Sequence, residues 1–172
     1  RGIAGSQRVF EVLDERRRIS DSRGSTPLQR ITGRVHFDDV TFSYDSGEKV
    51  LDHFTLEIEP GETIGVLGMT GSGKSTVGAL IPRFYDADSG TILVDGVDVR
   101  NAELKSLRSH VGIVPQDTFL FSASIRENIA YHDPNMDLER VIEAAKAAQI
   151  HDFVETLPQR YETVVGERGI GL

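Results

Sequence analysis

Two spacings of apolar residues alternate along this chain and divide it into strands and helices. From Val35 to Tyr44, the residues Val35, Phe37, Val40, Phe42 and Tyr44 mark β structure, interrupted at Asp38-Asp39. Asp45 to Glu48 predicts a turn. Val50 to Ile58 predicts a second strand, in which Leu56 and Ile58 alternate with charge, and Pro60-Gly61 is a further turn. Glu62 to Leu67 and Val111 to Val114 are short apolar runs and predict buried strands, the second stopped by Pro115. Thr91 to Val94 and Val97 to Val99 flank Asp95-Gly96, a strong hairpin signal.

Helical spacing covers the rest. Ile3, Val9, Phe10, Leu13 and Ile19 lie among polar residues and predict a helix across residues 1–19, with Arg16 to Arg18 as a solvated face or a lipid contact. Residues 20–33 read as a linker by composition. Thr76 to Ile81 can begin a helix that ends near Pro82 to Tyr85, and Ala102 to Ser109 predicts another. Ile125 to Ala130 predicts one or two turns. Leu138, Val141, Ile142, Ala145 and Ile150 form a stripe with Asp137 as N-cap, and His151 to Leu157 is a short helix before Pro158. The segment after Tyr161 is glycine-rich, and no internal repeat is present.

Between a predicted strand and a predicted helix lies Gly68-Met69-Thr70-Gly71-Ser72-Gly73-Lys74-Ser75-Thr76. This is a complete P-loop, in the strand–loop–helix context that its chemistry requires. Gly68, Gly71 and Gly73 let the backbone approach phosphate oxygens closely. Successive N–H groups then form an anion-binding concavity, to which the helix adds its positive end. Lys74 is expected to reach the β- and γ-phosphates, Ser75 to place its hydroxyl on Mg²⁺, and Thr76 to donate toward the α-phosphate. Thr70 and Ser72 belong to the same cradle. A P-loop alone does not choose among kinase, GTPase, ATPase and motor.

Composition narrows the partners. The 172 residues suffice for one domain with a real core, and 38% are hydrophobic. A net charge of −8 and a pI near 5.1 disfavour a nucleic-acid surface. The absence of cysteine excludes a disulfide scaffold and fits a reducing compartment. No apolar run approaches the ~20 residues of a membrane helix. The first residue is Arg1 and no signal peptide is visible, as expected of an excerpt from a longer chain. His36, His53, His110, His132 and His151 show no metal-ligand spacing, and Asp38-Asp39 and Asp86/Asp88 read as turn or loop residues.

Four further features share an order and spacing: Tyr44 before its turn, Gln116 after Val114-Pro115, Phe119 to Ile129, and Thr163 to Gly169. Together with the P-loop they resemble the nucleotide-binding domain of exporter-type ATP-binding cassette (ABC) transporters, almost continuously over residues 34–172. Residues 1–33 resemble the cytoplasmic extension of a last transmembrane helix and its linker. The resemblance implies an α/β fold: a P-loop NTPase core with an antiparallel β subdomain (34–116), followed by the Q-loop region, the start of a helical subdomain and the X-loop (117–172). It implies that Tyr44 stacks on adenine, where a ring face contributes ~1–3 kcal/mol. Gln116 takes the Q-loop position, meeting Mg²⁺ or the attacking water, and Lys74 and Gln116 are the catalytic candidates in this chain. Residues 163–169 match the X-loop, although Val164 replaces a frequent acidic residue.

The same resemblance implies ATP and Mg²⁺ as cofactors. It implies a transmembrane domain and a second nucleotide-binding domain, as homo- or heterodimer, as partners, with no nucleic acid. The expected location is the cytoplasmic face of the membrane. Leu172 matches the first residue of the family's signature. The Walker B carboxylates, the rest of the signature and the switch histidine fall outside residues 1–172. A chain of these residues alone is therefore expected to bind nucleotide weakly and not to turn it over, and to leave an unpaired sheet edge. The rival readings are a soluble ABC-type ATPase acting on nucleic acid or ribosomes, a P-loop kinase and a non-catalytic binding module.

Overall fold

A computed structural model describes residues 19–45, 47–116 and 119–166. These fall into two compact units, one ending at Ile113 and the other beginning at Val114. The helix expected over residues 1–19, apart from Ile19, lies outside the described residues, as do Glu167, Gly169 and Leu172.

The first unit holds a four-stranded antiparallel sheet of order β2-β1-β3-β4, with β1 Val35–Ser43, β2 Lys49–Ile58, β3 Ser89–Val94 and β4 Val97–Asp98. Phe37, Val40 and Phe42 are all buried, yet Phe37 and Val40 are three residues apart. Strict alternation would turn one of them to solvent. The register slips between Phe37 and Val40 against β2, and Asp39 takes a φ of 51°, so a bulge absorbs the extra residue. Gly90 packs against the bulge, where an added Cβ would overlap the Asp38 and Asp39 carbonyls. Asp38-Asp39, expected as turn or loop residues, thus lie within β1 as a bulge that keeps the strand continuous.

One core cluster joins Phe37, Val40, Phe42, Leu51, Ile92 and Val94 to Val77 and Leu80 of α1 (Lys74–Leu80) and Leu107 of α2 (Leu104–Ser109). Phe37 is fully buried and meets Phe54 edge-on at 5.5 Å. Burial of such a ring contributes ~1.5–3 kcal/mol. Segment 20–33 lies along this unit: Leu28 enters the core and Thr26 bridges Ala102.

The Asp95-Gly96 hairpin forms as predicted, with φ of 49° and 80° at its two central residues. Its carboxylate accepts hydrogen bonds from the Thr32 hydroxyl and from the amides of Thr32, Gly33 and Arg34. Burial opposes ionisation of Asp95, but these donors together outweigh it and hold the carboxyl below its usual range.

The strands expected at Glu62 to Leu67 and at Val111 to Val114 do not form. Neither run belongs to a sheet. Leu67 is 96% exposed and Val114 is 93% exposed. A strand exists only through its ladder partners, and neither run pairs with a described strand. The described sheets are therefore antiparallel throughout, while the α/β class itself holds.

In the second unit, β5 (Ala123–Ser124) pairs with β6 (Val164–Val165). Helix α3 (Ile125–Ile129) starts with a capping box: the Glu127 amide donates to Ser124 Oγ, and the Ser124 amide donates to the Glu127 carboxylate. Helices α4 (Leu138–Ala147) and α5 (His151–Thr156) and a 3₁₀ turn at Arg160–Glu162 follow. Their core contains Ile125, Met136, Val141, Val154, Tyr161 and Val165. Asp137 occupies the N-cap position of α4 with extended backbone, but its side chain caps nothing. That corrects the expected capping role: the Asp137 carbonyl opens the helix by accepting from the Val141 amide, and the carboxylate does not turn back.

Asp95→Asn tolerates the left-handed backbone but removes a charged acceptor. It should lower the urea midpoint at pH 7. Because the folded carboxyl is held low, its stabilisation is fully present above ~4 and fades as pH falls through the folded value. The gap between variant and wild type should therefore close in strong acid. Equal midpoints at pH 7 would remove Asp95 from this role.

Candidate functional site

The P-loop lies between the turn after β2 and helix α1. Gly73 is the N-cap of α1, with a φ of 87° and no side-chain cap. A Cβ at Gly73 would stand 3.1 Å from the Val50 carbonyl oxygen and 3.0 Å from Leu51 Cδ2. Strand β2 therefore presses against the base of the loop, and only glycine fits there. The loop also folds onto itself. The Ser72 amide donates to the Met69 carbonyl at 3.1 Å, and the Ser72 hydroxyl lies against Gly68.

Lys74 reaches back over this turn. Its ammonium donates to the carbonyls of Gly68, at 2.8 Å, and Met69, at 2.7 Å. The charge expected at the phosphate tail thus stands at the mouth of the loop. Thr70, Gly71 and Ser75 are exposed on the same segment, and Thr76 is 3% exposed on the inner face of α1.

Tyr44 stands just past the end of β1, 37% exposed. Its hydroxyl lies 3.0 Å from Thr76 Oγ1. Fold topology thus ties the expected base platform to the expected phosphate cradle, across 32 positions of sequence. A cavity of about 620 Å³ opens beside Tyr44, lined by Phe42, Asp45, Phe84, Tyr85 and Asp86 among others. Its volume lies within the ~300–1,000 Å³ of small-molecule sites.

Sequence reading left Tyr85 and Phe42 out of the site. Tyr85 follows α1 in a segment that several charged groups hold. Arg83, 6% exposed, pairs with Asp86 at 2.6 Å and donates to the Arg100 carbonyl. Arg108 donates to the carbonyls of Pro82 and Arg83 and lies 5.3 Å from the Phe84 ring centre. Asp98 binds Arg100 at 2.7 Å; burial opposes its ionisation, but the Arg100 hydrogen bonds prevail and its carboxyl is held low. The Arg-Phe-Tyr-Asp run after a predicted helix was the available signal, and it carries no period that points to a site.

Gln116 is exposed in the second unit, directly after Pro115. Nearby in sequence, Phe121 stacks on Tyr131 at 4.6 Å and meets Phe119 edge-on at 5.0 Å. All three rings are exposed, and a cavity of about 340 Å³ lies at Phe121, Arg126, Tyr131 and Pro134. Of the segment 163–169, Val164 and Val165 form β6.

The sequence profile described as "ABC transporter" matches residues 51–170. The chain is 49% identical over 171 residues to the putative multidrug export ATP-binding/permease protein YgaD of Bacillus subtilis, covering 99% of this chain and 30% of that protein. It is 45% identical over 171 residues to the ATP-dependent lipid A-core flippase of Syntrophus aciditrophicus, covering 99% of this chain and 28% of that protein. Among solved structures, a bacterial Atm1-family ABC exporter with ATP bound superposes with a TM-score of 0.90 at 39% identity, over 99% of this chain and 30% of that one. The chain thus spans less than a third of the length of these relatives. The profile covers well over half of the residues, so the chain belongs to the ABC transporter family.

Proposed function

We propose that residues 34–172 are the ATP-binding part of an exporter subunit, coupling ATP binding and hydrolysis to movement of a substrate across a membrane. The observation that carries this reading is the contact between Tyr44 and Thr76, which brings an aromatic ring to the foot of a complete phosphate loop. The named relatives that share nearly the whole chain are export or flippase proteins, which supports the same reading.

In this reading Tyr44 stacks on adenine and the amides of residues 68–76 take the phosphates. Lys74 exchanges its two carbonyl partners for β- and γ-phosphate oxygens, a stronger pairing because both partners are then charged. Thr70, Gly71, Ser72 and Gly73 supply backbone or hydroxyl donors, and Thr76 serves the α-phosphate side. Ser75 and Gln116 are each an exposed oxygen donor of the hard kind that Mg²⁺ prefers, and each would serve as a ligand to that ion. Mg²⁺ would neutralise charge between the β- and γ-phosphates.

The Q-loop region at Gln116 and the X-loop segment 163–169 carry the surface for a transmembrane domain, and the exposed Phe119, Phe121 and Tyr131 rings suit an apolar partner. A second nucleotide-binding domain completes the ATP site. Residues 1–33 connect to the membrane, on its cytoplasmic face; no helix among the described residues is long and apolar enough to cross one.

Lys74→Ala in the full-length protein should abolish ATP binding or hydrolysis; unchanged affinity and turnover would refute the phosphate role. Tyr44→Ala should weaken ATP affinity by roughly 5- to 150-fold, the equivalent of ~1–3 kcal/mol of lost stacking, with little change in the unfolding midpoint. A calorimetric titration showing equal affinity would take Tyr44 out of the site.

A further inference from the structure

We infer that Tyr85 is a positioning residue for the nucleotide, one that fixes the plane of the Tyr44 ring and so governs the base-dependent part of the affinity. The inference rests on the ATP-binding reading above and adds to it a residue that acts through Tyr44.

Three rings contact one another in a closed triangle. Tyr85 lies 5.2 Å from Tyr44 with the planes at 89°. Phe42 lies 4.9 Å from Tyr44 at 84°. Phe42 and Tyr85 close the triangle at 5.6 Å. The Tyr44 ring is thus held by perpendicular neighbours along its body and by the Thr76 hydroxyl at its tip. Tyr44 sits at a strand end before a turn, a position from which an unsupported ring would swing between rotamers. A stacking platform that must first be ordered binds its ligand more weakly.

The two neighbours differ in kind. Phe42 is 3% exposed and belongs to the core, so its position follows from folding. Tyr85 is 43% exposed and lines the cavity, so core packing does not account for it. The backbone beneath it is nonetheless anchored on both sides. Arg83 and Asp86 form their ion pair around it, and Arg108 holds the carbonyls of Pro82 and Arg83. A rigid base under an exposed ring is the arrangement expected of a side chain that orients a ligand contact.

The test uses the full-length protein and displacement of a fluorescent ATP analogue by ATP and by inorganic tripolyphosphate. Tripolyphosphate reads the phosphate cradle alone, whereas ATP reads cradle and base together. Tyr85→Leu should weaken ATP about 2- to 10-fold, the range of one aromatic pair, and leave tripolyphosphate unchanged. Tyr85→Phe, which keeps the ring, should match wild type for both. Combined with Tyr44→Ala, Tyr85→Leu should add no further loss, because its effect runs through Tyr44. Unchanged ATP affinity in Tyr85→Leu would overturn the inference. A parallel loss of ATP and tripolyphosphate would also overturn it, since the ring would then be supporting the fold. Additive losses in the double variant would show direct contact with the base and refute the positioning role. Wild-type protein that binds neither ligand would sink the ATP-binding reading itself, and the inference with it.

Discussion

Strand β2 and helix α1 trap the P-loop between them at a point where no side chain fits. Gly73 starts α1 in a left-handed conformation with the Val50 carbonyl and the Leu51 side chain against it. From that contact the loop can turn back on itself at Met69 to Ser72 and bring Lys74 over its own carbonyls. The helix that follows buries Val77 and Leu80 in the core of the antiparallel sheet. The packing that completes the sheet's core therefore also sets where α1 begins, and the sheet serves the site as its backing.

The same sheet carries the other end of the site. The bulge at Asp38-Asp39 lets Phe37, Val40 and Phe42 all face inward, so β1 ends with Phe42 buried and Tyr44 half out. Tyr44 then meets Thr76 from the inner side of α1 and Tyr85 from the segment after it. Burial fixes Phe42; hydrogen bonding and ring contacts fix Tyr44; the buried Arg83 and its partners fix the backbone at Tyr85. Each wall is held by a different force, which lets an exposed platform remain ordered.

Much of this was legible in the residues. The P-loop glycines and the Asp95-Gly96 hairpin each announce a specific backbone event through residue chemistry, and each is present; the Asp38-Asp39 pair announced a break, but a pair of carboxylates does not distinguish a turn from the bulge that forms. The apolar runs at 62–67 and 111–114 announced burial, but pairing depends on neighbouring strands, which a run of valines and isoleucines does not specify. The two-residue strands β5 and β6 are too short to carry a period. Tyr85 was invisible for another reason. It joins Tyr44 through the tertiary fold, and no spacing in the chain links positions 44 and 85. The family resemblance supplied what local chemistry could not at Tyr44 and Gln116, since an aromatic at a strand end and a polar residue after a proline are individually ordinary.

In the proposed function, main-chain amides at the P-loop, together with the Lys74 ammonium, grip a triphosphate. Amide hydrogen exchange across residues 68–76 tests it most directly, measured in the full-length protein alone, with ATP, with tripolyphosphate and with adenosine. Slowed exchange in this segment with ATP and with tripolyphosphate, but not with adenosine, is the predicted result. Protection by adenosine alone, or none with either triphosphate, would contradict it.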